Sequence, residues 1–195
     1  MREVRPSCED EFIEWYLHRE AHKRREPASS VPTTAQERRQ FFGCVHSGKV
    51  FARGFRPESW GLVELERPTE LECLVILESR WTKRRCLVAP EMPNGRLLSY
   101  AVDVALRTGY FQSSDYLQHR TFDYYGEMRH GSHLPLRQEE RIVLRDLVPS
   151  ERRSNPEGSF YLHDGLGRCL AYLALLKEGR IVFSPVEAFL ARSDA

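Results

Sequence analysis

The sequence has few cysteines, and their spacing excludes two common uses of this residue. The five cysteines are an odd number, and no two of them form a CxxC pair. A disulfide scaffold needs paired cysteines, and a zinc site needs closely spaced thiolate or imidazole ligands. Reduced thiols in the cytoplasm fit the pattern better. We expect Cys169, which stands inside an apolar segment, to be a packing residue.

Long apolar runs and common catalytic signatures are missing as well. No apolar run approaches the roughly 20 residues that a membrane-spanning helix needs, and the N-terminal MREVRPSCEDEF does not resemble a signal peptide. We therefore expect a soluble cytoplasmic protein without a membrane partner. The sequence contains no GxSxG, GxxxxGK[ST] or GxGxxG pattern that would assign an enzyme class directly.

Lysine is scarce, whereas arginine is abundant. The chain has 4 lysines, 25 arginines, a net charge of +1, 41% hydrophobic residues and 29% charged residues. The composition is ordinary for a folded cytosolic protein, and the near-zero charge argues against a general nucleic-acid binder. Arginine forks suit phosphates and carboxylates. The codon bias of a GC-rich bacterial genome explains the same excess without a ligand.

The apolar periodicity predicts an α+β fold in a single domain over residues 1–195, with a looser division near residue 90. An N-terminal helix follows Ser7, and a short helix capped by Thr33 or Thr34 ends near residue 42. Two central helices follow, one with its apolar stripe at residues 97–105 and one ending near residue 131. A C-terminal strand–turn–helix–strand unit completes the chain.

Short, partly alternating segments predict small and mostly antiparallel sheets. A meander of three or four strands is expected in the first half of the chain, and residues 148–158 are expected to be a loop. The predicted strands of the meander are residues 49–55, 60–66, 72–79 and 80–88, and the later ones are residues 141–147, 159–162, 180–183 and 186–191.

The segment HDGLGR has the clearest functional pattern in the chain. His163 and Asp164 end a predicted strand, and a helix begins beside Gly165 and Gly167. Backbone N–H groups and the dipole at a helix N-terminus favour an anion. Each glycine costs up to about 1 kcal/mol in a helix, which a ligand close to the backbone would explain.

This pattern predicts a phosphate site with a defined role for each residue. The amides of residues 165–167 would hold the phosphate, Arg168 would stabilise its charge, and His163 or Asp164 would act as a base or a magnesium ligand. The alternative interpretation is structural. In it Asp164 caps the helix, Gly165 and Gly167 serve the turn and helix packing, and Arg168 faces water.

The segment YLHDGLGRCLAYLALL, followed by RIVFSPVEAFLA, resembles the ParB/sulfiredoxin superfamily. Members carry a strand, a DGxHR- or GxxR-type turn that binds nucleotide phosphate, a helix and a closing strand, and IVLRDLVPSE resembles their opening segment. The resemblance covers residues 141–191 and implies binding of a nucleotide phosphate; the cofactor is left unassigned, with a nucleotide and magnesium as the candidate. Asp164, Gly165 and Arg168 match the motif. Gly167 stands where the kinase-like members have histidine, and the helix that usually precedes the motif is not predicted.

Two histidine clusters are weaker patterns for a metal. Glu127 and His130 share a helix face, but the glycine that follows separates them from His133. A helix C-terminus, which attracts protonated histidine, explains the same residues. His18 and His22 of HREAH also share a face, but the glutamate between them points away. A solvated helix face is the better interpretation, and no metal site is predicted.

Basic clusters beside aromatic residues lead to a second hypothesis. Arginines and aromatic rings together form RNA-binding surfaces, and such clusters occur at residues 23–25, 38–39, 83–85 and 152–153, although acidic residues flank most of them. The predicted function is binding of a nucleotide or phosphorylated metabolite at HDGLGR, with nucleotide-dependent phosphoryl transfer as its extension. The alternative is a non-catalytic accessory module that holds a protein or RNA partner through an arginine–aromatic surface.

Overall fold

The computed structural model of the protein describes residues 1–50, 57–76, 95–111, 120–131 and 136–193. These residues form an α+β fold in which helices cover both faces of one sheet. The strands are β1 (Arg2–Ser7), β2 (Ser59–Leu65), β3 (Val75–Ile76), β4 (Arg96–Leu97), β5 (Ile142–Arg145), β6 (Tyr161–Asp164) and β7 (Val186–Arg192). The helices are α1 (Glu9–Lys23), α2 (Ala35–Val50), α3 (Pro68–Glu72), α4 (Leu98–Arg107), α5 (Arg120–Arg129), α6 (Pro149–Ser154) and α7 (Leu166–Lys177). Two 3₁₀ turns lie at Ala28–Ser30 and Gln138–Glu140.

The sheet is larger than predicted and mixed in direction. Its seven described strands lie in the order β1-β2-β7-β5-β6-β3-β4. β5 is parallel to β7 and β3 is parallel to β6, whereas the other neighbouring pairs are antiparallel. The α+β class is confirmed, but the prediction of small, mostly antiparallel sheets is wrong. The C-terminal strand β7 inserts between β2 and β5, and local periodicity does not encode such a distant pairing.

The central strands pack against different helices on their two faces. Along β7, Phe189 and Ala191 belong to a core shared with α1, while Val186, Ala188 and Leu190 belong to a larger core shared with α4, α5 and α7. Successive side chains of a strand point to opposite faces of the sheet. Because all five of these side chains are buried, the centre of the sheet needs helices on both sides.

Helix α7 is the most deeply buried helix among the described residues. Its sequence is apolar on every side, and residues 168–175 are all buried. The helix packs against α4 and α5, as expected of a helix without a polar face. This packing fixes the N-terminal end of α7, where HDGLGR lies, against the end of the sheet.

The N-terminal segment differs from the prediction. Arg2–Ser7 forms the edge strand β1, although its exposed and largely polar side chains give no apolar alternation. Pairing with β2 supplies the strand conformation. Helix α1 begins at Glu9 with three acidic residues in its first turn, as expected, but its N-cap is Cys8. The Ser7 hydroxyl donates instead to the Glu11 carboxylate at 2.8 Å.

Helix α2 begins where the sequence predicts it and continues further. The backbone N–H of Glu37 donates to Thr34 Oγ1 at 3.3 Å, and Thr34 Oγ1 donates to the Glu37 carboxylate at 2.7 Å. This reciprocal cap confirms Thr34 as a helix start. The helix extends to Val50, so the start of the strand predicted at 49–55 is wrong. The rest of that strand, and the strand predicted at 80–88, lie outside the described residues.

Two short helices form where the sequence predicts a loop or the start of a strand. Residues 68–72 and 149–154 form α3 and α6, each with proline in its first turn. Proline suits that position because its missing N–H has no helical partner there. Of the strand predicted at 72–79, Val75–Ile76 forms β3 and residues 72–74 are not in a strand, whereas residues 77–79 lie outside the described residues. Residues 180–183 are not a strand. β2, β5 and β7 form where the sequence predicts them, and β6 lies two residues later than the strand predicted at 159–162.

Candidate functional site

The HDGLGR turn lies at the end of the sheet, where four elements meet. β6 runs antiparallel to β5, so Asp164 at its C-terminal end lies opposite Val143 near the start of β5. The 3₁₀ turn Gln138–Glu140 leads into β5 at the same end. Helix α7 begins directly after the turn, and α1 approaches from the opposite face of the sheet. The topology therefore brings charged side chains of distant segments to one place.

Gly165 has a structural reason to be glycine. It is the N-cap residue of α7 with φ of 103°, in the left-handed region, which glycine adopts without a steric cost. A Cβ at this position would lie 2.7 Å from Ile142 Cγ2. Asp164 makes no side-chain cap to α7, so its interpretation as the helix cap is wrong. Gly167 is the second residue of the helix.

The side chain of Arg168 is buried, and its guanidinium donates hydrogen bonds to groups of the protein itself. Only 1% of it is exposed. Nη1 donates to Glu140 Oε2 at 2.9 Å and to the backbone carbonyls of Glu140 and Arg141 at 2.6 and 2.9 Å, while Nη2 donates to Asp164 Oδ2 at 3.3 Å. The suggestion that Arg168 faces water is therefore wrong. The guanidinium joins α7 to the turn before β5.

Asp164 is an ion-paired carboxylate held between two guanidinium groups. Arg19 of α1 donates to Asp164 Oδ2, as Arg168 does. Burial opposes the ionisation of Asp164, but the charges of Arg19, Arg168 and Lys23 outweigh it and lower the pKa of the carboxyl. The charged form is thus the stable one, and its partners are protein cations. Proton abstraction by Asp164 would first have to break these pairs.

Arg19 is the residue of this cluster that the sequence analysis missed. It lies 145 residues from Asp164 in the chain, and nothing in HREAH distinguishes it from a solvated arginine. In the structure it is only 6% exposed. Its Nε is buried without a hydrogen-bond partner among the described residues, and its guanidinium lies 5.4 Å from the centre of the Trp15 ring. Burial would lower the pKa of Arg19, but Asp164 raises it overall.

His163, the other predicted base, is partly buried on β6. Its ring meets the Tyr161 ring edge-to-face with centroids 5.9 Å apart. Burial lowers the pKa of His163 to about 4, with the charge of Asp164 opposing the shift and Arg145 adding to it. The imidazole is therefore neutral near pH 7 and resists protonation.

The lowered pKa of His163 predicts a loss of stability in mild acid. A histidine that titrates near 6.5 in the unfolded chain and near 4 in the folded one contributes fully to stability above pH 6.5. This contribution falls between pH 6.5 and pH 4, because only the unfolded chain takes up the proton, and about 3 kcal/mol is lost by pH 4. Urea unfolding across this range should show the slope in the wild type and a shallower one in His163→Gln. An unchanged slope in His163→Gln would contradict this role.

A cleft of about 220 Å³ runs along α1 beside the Arg19–Asp164 pair. We call it the α1 cleft. Arg19 and Glu140, the partners of Asp164 and Arg168, both lie in its wall, whereas the residues of HDGLGR do not. Its lining residues are Trp15, His18, Arg19, Ala21, His22, Lys23, Glu26, Ala28 and Glu140. The HDGLGR turn thus lies outside the cleft lining but contacts two of its residues: Asp164 pairs with Arg19, and Arg168 pairs with Glu140.

Several polar side chains of the α1 cleft have no side-chain hydrogen bond or ion pair among the described residues. His18, His22 and Glu26 are exposed, and no side-chain hydrogen bond or ion pair to another described residue is found for any of them. Lys23 pairs with Glu20, and burial together with the charge of Arg19 lowers its pKa. His18 and His22 are therefore exposed, as the interpretation of HREAH as a solvated face expects. They also form part of a cleft wall, which that interpretation did not include.

No family model, curated protein or solved structure matches the chain. The resemblance of residues 141–191 to the ParB/sulfiredoxin superfamily therefore stays a prediction. In the part of the chain that the structure describes, no helix is long and apolar enough to cross a membrane.

The two remaining sequence patterns, Glu127–His130–His133 and GxxxxGK, form no ligand site among the described residues. Glu127 and His130 are exposed at the end of α5, and His133 lies outside the described residues. Within those residues, no three metal-binding side chains are close enough to share an ion. Residues 43–50, GCVHSGKV, have the GxxxxGK spacing of a phosphate loop with valine in place of serine or threonine, but they lie within helix α2.

Neighbouring acids neutralise the basic cluster at residues 38–39. Arg38 pairs with Asp10 at 2.5 Å, and Arg39 pairs with Glu9 at 3.5 Å. The cluster at 83–85 lies outside the described residues. Phe41 keeps 42% of its surface exposed beside Arg38 and Arg39. With its arginines paired, this surface gives less support to RNA binding than the sequence alone does.

Proposed function

We propose that the protein binds a small phosphorylated metabolite in the α1 cleft, with Arg19 as the central contact. The observation that carries the proposal is a buried arginine in a cleft wall whose Nε has no partner among the described residues. A buried donor without a partner costs about 1–3 kcal/mol. Only Nη1 of this guanidinium has a hydrogen-bond partner among the described residues, Asp164, so an anion that reaches the group from the cleft would use donor capacity that the fold leaves open.

The other side chains of α1 in the cleft favour an anion of the same kind. His18, His22 and Lys23 line the cleft beside Arg19, so four nitrogen-bearing side chains surround one space. A phosphate presents three terminal oxygens and accepts from several such donors at once, whereas a carboxylate has two oxygens. A phosphate monoester therefore fits this set better than a simple carboxylate.

The size of the cleft favours a metabolite over a nucleotide. Its volume of about 220 Å³ is below the roughly 300–1,000 Å³ of sites for drug-sized ligands.

The HDGLGR turn acts by positioning: Asp164 holds Arg19, and Arg168 holds Asp164 and Glu140. Phosphoryl transfer with His163 or Asp164 as base stays a prediction from the sequence. The pairing of Asp164 with two arginines gives it less support than binding.

A thermal-shift panel tests the proposed function. Ethyl phosphate, glycerol 3-phosphate, ribose 5-phosphate and AMP would be added with and without magnesium. A ligand at 100 times its dissociation constant stabilises the fold by about 2.7 kcal/mol, which for a chain of this size raises the melting temperature by about 5–10 °C. We expect this shift in the wild type and in Arg24→Gln, and its loss in Arg19→Gln and Lys23→Gln.

Two outcomes would contradict the proposal. No shift with any phosphate ester would mean that the cleft is not an anion site. A shift that survives in both Arg19→Gln and Lys23→Gln would place the ligand elsewhere, with the HDGLGR amides as the next candidate. The alternative of an RNA partner predicts binding that falls steeply with salt and does not depend on Arg19 alone.

A further inference from the structure

The α1 cleft has an acidic end as well as its basic wall. Glu26 lies in the cleft lining, is exposed, and forms no ion pair with another described residue. The backbone N–H of Glu26 donates to the Ala21 carbonyl at 2.9 Å, which folds the chain back and holds Glu26 against the C-terminal end of α1. A carboxylate with no cationic partner among the described residues thus lies beside the wall that we propose for the anion.

The end of the helix adds to the negative potential at this place. The last carbonyl groups of a helix carry a partial negative charge that favours a cation. Glu26 and the C-terminal carbonyls of α1 act in the same direction. His22 and Lys23 also lie in this last turn, but Lys23 is paired with Glu20, and Arg19 lies a full turn earlier, beside Asp164. One end of the cleft is therefore suited to an anionic group and the other to a cationic one.

We propose that the ligand of the α1 cleft is a phosphorylated amine, with its phosphate at Arg19 and its ammonium group at Glu26. This inference rests on the proposed function and specifies the class of metabolite. Glu140 also lines the cleft, but its carboxylate accepts from Arg168 Nη1 at 2.9 Å. Glu26 is the available acceptor and determines the preference for an amine.

A metal ion held by the two cleft histidines is a weaker explanation of the same residues. Among the described residues no third metal-binding side chain joins His18 and His22. Arg19 and Lys23 line the same cleft, and their charges oppose a second cation between them. A ligand that brings its own negative charge is compatible with all four side chains.

The test compares O-phosphoethanolamine with ethyl phosphate, which lacks the amine, by titration calorimetry. The wild type should bind O-phosphoethanolamine about two- to fivefold more tightly, as expected for one charge-assisted contact at an exposed carboxylate. Glu26→Gln should remove this preference and leave the affinity for ethyl phosphate unchanged. Glu14→Gln, which removes an exposed glutamate of α1 outside the cleft, should keep the wild-type preference.

The outcomes separate this inference from the function on which it rests. Equal affinity of the wild type for the two esters would overturn the assignment of an amine while supporting the phosphate site. A preference that survives in Glu26→Gln would also overturn it, since another group would then select the amine. Binding of neither ester would overturn the proposed function and the amine with it.

Discussion

Replacement of Arg168 by leucine should destabilise the fold by about 3–5 kcal/mol, the usual cost of removing one partner of a buried ion pair. The substitution leaves the carboxylate of Glu140 and the carbonyls of Glu140 and Arg141 without their donor, and it removes one of the two guanidinium groups at Asp164. For a chain of this length the melting temperature should fall by about 6–20 °C.

The exposed Arg152 provides the matched control for this experiment. It lies in the last turn of α6, and Arg152→Leu should change stability by less than about 0.5 kcal/mol. Urea unfolding of both variants at pH 7.5 measures the difference. If Arg168→Leu were as stable as Arg152→Leu, the buried network at the end of the sheet would contribute nothing to the fold.

Gly165→Ala should destabilise the fold by about 2–5 kcal/mol. Part of this cost is the left-handed backbone, since an alanine pays roughly 1–2 kcal/mol to adopt it. The rest is steric, because the new Cβ would lie 2.7 Å from Ile142 Cγ2, and overpacking of this kind costs about 1–3 kcal/mol. The measurement is again the free energy of unfolding in urea.

Gly126 in α5 is the control for Gly165. A Cβ at Gly126 has no neighbour within 4 Å, so Gly126→Ala should stabilise the helix by up to about 1 kcal/mol. Opposite signs for two glycine-to-alanine substitutions in one protein would show that the turn geometry, and not the residue type, determines the effect. A neutral Gly165→Ala would instead leave a ligand close to the backbone as the reason for this glycine.

The local apolar pattern was sufficient to predict the helices and strands with strong periodicity. α4 and α7 formed where apolar stripes predicted them, and β2 and β7 formed where short buried strands did. β1 was missed because its exposed side chains carry no alternation, and only its pairing with β2 makes it a strand. The mixed sheet was missed for the same reason, because the pattern of a single segment does not indicate which distant strand it pairs with.

The candidate site shows the same division between local and distant information. The sequence located the turn at Gly165 and the start of α7, because a glycine between an apolar strand and an apolar helix is a local signal. It did not indicate that Arg168 is buried or that Asp164 meets Arg19, since both depend on contacts across the end of the sheet. The α1 cleft, formed by α1 and the turn before β5, has no local signature at all.

NMR of the histidine side chains and backbone amides during titration with ethyl phosphate distinguishes the α1 cleft from the HDGLGR turn as the anion site. Binding in the α1 cleft predicts that the imidazole signals of His18 and His22 shift, while those of His163 and the amides of Gly165 and Gly167 stay nearly unchanged. Shifts confined to His163 and the two glycine amides would contradict binding in the α1 cleft and place the ligand at the HDGLGR turn.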